Sequence, residues 1–106
     1  MAGRIVIVAY RPKPGCGEAL RALAREHLTI LKTRSLVTDR PPVLMAARDG
    51  TVVEVFEWRS REAIESAHSD PAILALWERY AAVCDYLPLA NLPEASDLFA
   101  EFTPFS

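Results

Sequence analysis

An α+β chain built on one antiparallel sheet is predicted by three features of the sequence. The segment from Arg4 to Arg11 is β-branched and almost continuously apolar, as a central strand covered on both faces would be. From Gly17 to about Ser35, Leu20, Leu23, Ala24, Leu28 and Leu31 recur at three and four residues, the period of a helix with one buried stripe. Asp49-Gly50 stands between two short apolar segments and favours a two-residue hairpin turn, which makes those segments antiparallel neighbours.

Each remaining element follows in order. Pro12-Lys13-Pro14-Gly15 ends the first strand, because proline cannot donate to a sheet ladder and glycine is free to turn. After the polar stretch Thr38 to Pro42, Val43 to Arg48 makes the second strand. Thr51 to Arg59 makes the third, with Val52, Glu54, Phe56 and Trp58 on one face and Val53, Val55 and Glu57 on the other. Ser60 is a good N-cap for a short helix to His68, and Asp70-Pro71 restarts helix with a capping acid and a proline at the first helical position. Ile73, Leu74, Trp77, Tyr80, Ala81, Cys84 and Leu87 then form a stripe at helical spacing, so this helix is expected to run to about Leu87. In the proline-punctuated tail, Leu98 to Phe105 alternates and is expected as the last strand. The order β-α-β-β-α-β is the ferredoxin-like arrangement, an antiparallel sheet with both helices on one face.

Composition narrows the function classes. With 106 residues, 51% hydrophobic and 25% charged, the chain suits one globular domain over residues 1–106. Twelve Lys plus Arg against fourteen Asp plus Glu give a net charge of -2, which leaves no electrostatic footprint for nucleic acid. No apolar run approaches the roughly 20 residues that span a bilayer, and Met-Ala-Gly-Arg leads into a strand instead of a signal-peptide core, so no membrane role and a cytoplasmic location are expected. Cys16 and Cys84 lack metal or redox spacing and read as free thiols. His27 and His68 stand far apart with no ligand cluster, and no glycine-rich phosphate loop is present, so neither a metal nor a nucleotide is expected.

The sheet face away from the helices must also be covered, since strand one has almost no polar residue and strand three offers Phe56 and Trp58 beside Val53 and Val55. Burial against a second copy, a homodimer through the sheet face, is the simplest account.

The stretch from Glu54 to His68, followed by Ser69-Asp70-Pro71 and an apolar helix containing Trp77, resembles the dimeric α+β barrel proteins that include the antibiotic-biosynthesis-monooxygenase-like domains. The resemblance covers almost the whole chain. It implies a ligand cavity between the helices and the sheet of each subunit, with His68 as a catalytic base and a strand-three acid as its orienter. That acid is Glu54 or Glu57, because a one-residue slip reverses the face of a strand side chain. His27, Trp58, Trp77, Tyr80 and Cys84 are the lining candidates. The same aromatic stripe is also what ordinary core packing produces. No cofactor is implied. The haem-degrading variant places an asparagine on strand one and a histidine where this chain has Trp77, and strand one here has no asparagine. Two readings follow: a cofactor-independent monooxygenase acting on a small aromatic or apolar metabolite, or a non-catalytic binding homodimer of the same fold.

Overall fold

A computed structural model describes residues 3–105. Its elements are β1 (Arg4–Pro12), α1 (Gly17–Thr33), β2 (Val43–Ala46), β3 (Val52–Trp58), α2 (Arg61–Ala67), α3 (Pro71–Val83), β4 (Cys84–Leu87) and β5 (Thr103–Pro104), with two short 3-10 turns between β4 and β5. The sheet order is β4-β1-β3-β2-β5 and every neighbouring pair is antiparallel. The first four strands in that order, with the helices packed over them, give an α+β architecture consistent with the ferredoxin-like arrangement. No helix among the described residues is long and apolar enough to cross a membrane.

The helices form for the reasons the sequence offers. In α1, Leu20, Leu23, Ala24, Leu28 and Leu31 are buried as one stripe, each leucine contributing about 1.5–3 kcal/mol by leaving water. Ser60 caps α2 by accepting from the Ala63 N–H at 3.1 Å, and Asp70 caps α3 by accepting from the Ala72 N–H at 2.9 Å. Pro71 opens α3, where its missing N–H costs nothing.

Three boundaries differ from the expectation. The second long helix stops at Val83, and Cys84 and Leu87 belong to β4, which pairs with the Ala9–Pro12 end of β1. Lys13 drives this break: its N–H donates to the Val83 carbonyl and its Nζ to the Ala81 carbonyl, both at 2.8 Å. Those bonds fasten the last turn of α3 to the end of β1, and the chain then continues along the strand's open edge. The expected strand from Leu98 to Phe105 shrinks to Thr103–Pro104 on β2, because the place beside β1 is taken by β4. The β2–β3 hairpin has three loop residues instead of two. Ala47 N–H donates to the Thr51 carbonyl at 2.8 Å and Gly50 N–H to the Ala47 carbonyl at 3.0 Å, which places Gly50 at φ 91°. Only glycine takes that conformation without strain, so the Asp49-Gly50 pair still determines the hairpin.

The two sheet faces are divided by register. Val8 opposes Glu54 and Glu54 opposes Leu44, so these three side chains share the face under the helices, with Val6 and Phe56 alongside. On the far face, the C-terminal segment lays Leu92 and Phe102 against Ala9, Ala47 and Val53. Glu94 pins this strap by accepting from the Arg48 N–H at 2.8 Å. Part of the cover expected from a second copy is therefore supplied by the chain itself. Ile5, Ile7 and Val43 on the same face stay open, at 56%, 49% and 47% exposure.

Candidate functional site

Glu54 sits at the middle of β3 beneath α1 and is wholly buried, at 0% exposure. A buried carboxylate needs donors, and two are provided. The Tyr10 hydroxyl donates to Oε1 at 2.8 Å, and His27 Nδ1 lies 3.0 Å from Oε1 and 2.9 Å from Oε2. A carboxylate only accepts, so Nδ1 carries the hydrogen and, in the neutral imidazole, Nε2 is left as an acceptor. Burial, reinforced by the Glu54 charge, pushes the Tyr10 and Tyr80 hydroxyls far above the ordinary tyrosine range. Tyr10 therefore stays a donor at any working pH.

The His27 ring is fixed from both sides, edge-on to Phe56 and to Tyr80 with centroids 5.3 Å away in each case. Its Nε2 meets no hydrogen-bond partner among the described residues, and the ring lines a cavity of about 400 Å³ between the helices and the sheet. Val6 and Val8 of β1 form part of the sheet-side wall, and Phe56, Trp58, Trp77 and Tyr80 add aromatic surface. His68 and the half-exposed Tyr86 lie at the solvent side. No Asp, Glu, Lys or Arg lines it among the described residues. The cavity is therefore an uncharged aromatic space with a hydrogen-bond acceptor held deep inside it.

A solved structure matches this fold. Rv0793 from Mycobacterium tuberculosis is 27% identical, with a TM-score of 0.62 over 90% of this chain and 100% of that one, which shows a related fold. No family model matches the sequence, and no curated protein matches it.

The structure brings together some of the residues singled out in the sequence and separates others. Glu54, His27, Trp58, Trp77, Tyr80 and His68 meet at or just beneath this cavity. Glu57 does not. Its side chain points to the far face, accepting from Thr38 Oγ1 at 2.8 Å and Arg40 Nε at 3.0 Å, and these bonds hold its carboxyl below the usual range. It fastens the loop before β2 to β3. Cys84 is also away from the cavity: it packs in the core with Leu20 and Leu76, its thiol donates to the Tyr80 carbonyl at 3.1 Å, and burial pushes it up to about 11.

The expected partnership of His68 with a strand-three acid is replaced by another. His68 caps the end of α2 and its Nδ1 donates to the Ile64 carbonyl at 2.9 Å, while its ring lies edge-on to Trp77 with centroids 5.1 Å apart. The acid orients His27. Tyr10, the third member of that cluster, was not singled out in the sequence, although its position two residues after Val8 puts it on the helix-facing side of β1.

Proposed function

We propose that this protein is an antibiotic-biosynthesis-monooxygenase-like enzyme, working as a homodimer, that takes a small uncharged aromatic substrate into the cavity and removes a proton from it with His27. The observation that carries this reading is the wholly buried Glu54, which holds His27 so that an acceptor nitrogen faces an aromatic, charge-free space. A histidine held in one tautomer by a buried carboxylate is a ready general base, and the carboxylate stabilises the imidazolium that forms. The substrate proton passes to Nε2, and the resulting delocalised anion is electron-rich enough to react with dioxygen. For a methylene flanked by aromatic rings the product is the ketone. Both methylene hydrogens leave, one atom of dioxygen becomes the carbonyl oxygen, and the other departs with those hydrogens as water. The carbon is oxidised and dioxygen is the oxidant, so no further reductant is needed. The apolar walls exclude water from the anion while it reacts. The open row of Ile5, Ile7 and Val43 supports the homodimer through the sheet face.

Binding is tested by titrating 2-naphthol and its methyl ether against the tryptophan fluorescence of Trp58 and Trp77. The naphthol, which has a proton to give, is expected to bind about tenfold more tightly, the worth of roughly one hydrogen bond. Oxygen uptake with anthrone tests the chemistry, and His27→Asn is expected to abolish it. If 2-naphthol binds with that preference but no activated aromatic consumes oxygen, the non-catalytic binding homodimer is the correct reading. Equal affinity for naphthol and ether sinks the role of His27. A native mass of 11.8 kDa instead of twice that value sinks the dimer.

A further inference from the structure

The cavity wall holds a second imidazole whose protein bonds follow the same logic. Nδ1 of His68 faces the Ile64 carbonyl, which can only accept, so this nitrogen carries the hydrogen. In the neutral ring, Nε2 of His68, like Nε2 of His27, is then an acceptor, and neither has a partner among the described residues. The two lie at different depths in one cavity, since His27 is 2% exposed and His68 is exposed at the α2–α3 junction. The wall between them is aromatic, and Trp77 touches the His68 ring edge-on.

We infer that His68 is a specificity-determining residue and that the preferred ligand is an aromatic diol, with one hydroxyl given to His27 Nε2 in the interior and the other to His68 Nε2 at the mouth. A ligand with a hydroxyl at one end only leaves one acceptor to water. A ligand bearing carbonyl oxygens at both ends, with no donor, meets two acceptors and is rejected. This inference rests on the cavity reading proposed above and adds the second end of the ligand to it.

The test is a cycle of two ligands and three proteins at pH 8: 2-naphthol and 2,6-dihydroxynaphthalene against wild type, His68→Phe and His27→Asn. In wild type the diol is expected to bind about five- to tenfold more tightly than the mono-ol, the usual worth of one added hydrogen bond. His68→Phe keeps an aromatic ring against Trp77. It is expected to remove the advantage of the diol while leaving 2-naphthol affinity within twofold of wild type, which also reports that the variant is folded. His27→Asn is expected to weaken both ligands. If 2-naphthol binds wild type and the diol binds no better, or if the advantage survives in His68→Phe, the inference about His68 is wrong and the cavity reading stands. If neither ligand binds wild type, both are wrong.

Discussion

Replacing Glu54 with glutamine separates the two roles of this carboxylate. The change is isosteric, so no cavity is made, but one of the two oxygens becomes an NH2 group. With the amide oxygen kept toward Tyr10, the NH2 faces His27 Nδ1 across the 2.9 Å now spanned to Oε2. Two donors cannot share that contact. Nδ1–H then either keeps only the 3.0 Å contact to the oxygen it shares with Tyr10, losing its bond at the Oε2 position, or the imidazole hydrogen moves to Nε2, so that Nδ1 accepts from the amide. The charged hydrogen bonds at Glu54 are each worth about 1.5–3 kcal/mol, against a total stability of about 5–15 kcal/mol for a domain of this size. Loss of one corresponds to a fall in Tm of roughly 6–24 °C, at about 4–8 °C per kcal/mol. If the tautomer shifts instead, much of that stability is retained but His27 presents a donor to the cavity. The preference for 2-naphthol over its methyl ether then collapses toward one, because both can accept from Nε2–H. Turnover, where general-base assistance is worth about 10² to 10⁴, falls correspondingly. Differential scanning calorimetry and the two titrations read these effects side by side. A Glu54→Gln protein with unchanged Tm and an intact naphthol preference refutes the claim that Glu54 fixes the His27 tautomer.

Four further outcomes are expected. Tyr10→Phe removes one donor from the buried Glu54 and costs about 1.5–3 kcal/mol in urea denaturation, while His27 keeps its contact and the naphthol preference persists; a neutral effect on stability counts against the Tyr10–Glu54 bond. Asp70 accepts from Arg34 Nε at 2.8 Å, and that bond is the main cause of its lowered carboxyl pKa, with capping of α3 adding to it. A depressed carboxyl stabilises the fold fully above its unfolded value of about 4 and loses that contribution as pH falls through the lower folded value, so the stability gap between wild type and Asp70→Asn is flat from pH 8 to about 5 and closes at lower pH. A gap that widens on acidification contradicts this sign. With its thiol at about 11 and buried, Cys84 stays protonated and reacts with a disulfide reagent at pH 8 far more slowly than the half-buried Cys16, giving one fast and one slow phase; two equal phases contradict the burial. Glu57→Ala leaves 2-naphthol affinity within twofold of wild type, because its partners Thr38 and Arg40 lie outside the cavity lining; a larger loss returns that acid to the site.

The elements that the sequence reveals are those whose signal is local. The period of α1, the caps Ser60 and Asp70 and the β-branched run of β1 each determine conformation within a few residues, and the structure carries all of them. Val83 to Leu87 is different. Its apolar spacing suits a helix, yet Lys13, about seventy positions earlier, binds the end of α3, and the open edge of β1 takes up Cys84 to Leu87 as a strand. A sheet edge with unpaired backbone groups is a tertiary demand, and no window of local sequence contains it. The same distinction separates the two histidines. His68 is marked by its setting beside Ser69-Asp70-Pro71, whereas His27 reads as one more member of a leucine stripe. The alternation of β3 puts Glu54 on an apolar face, which already requires a donor opposite it, and α1 is the helix that crosses above. A polar residue on each of two facing apolar stripes is therefore a usable signal. Its meaning depends on which stripes face one another, and here the pairing with His27 moves the deep polar contact of the cavity onto the residue with the weaker local signature.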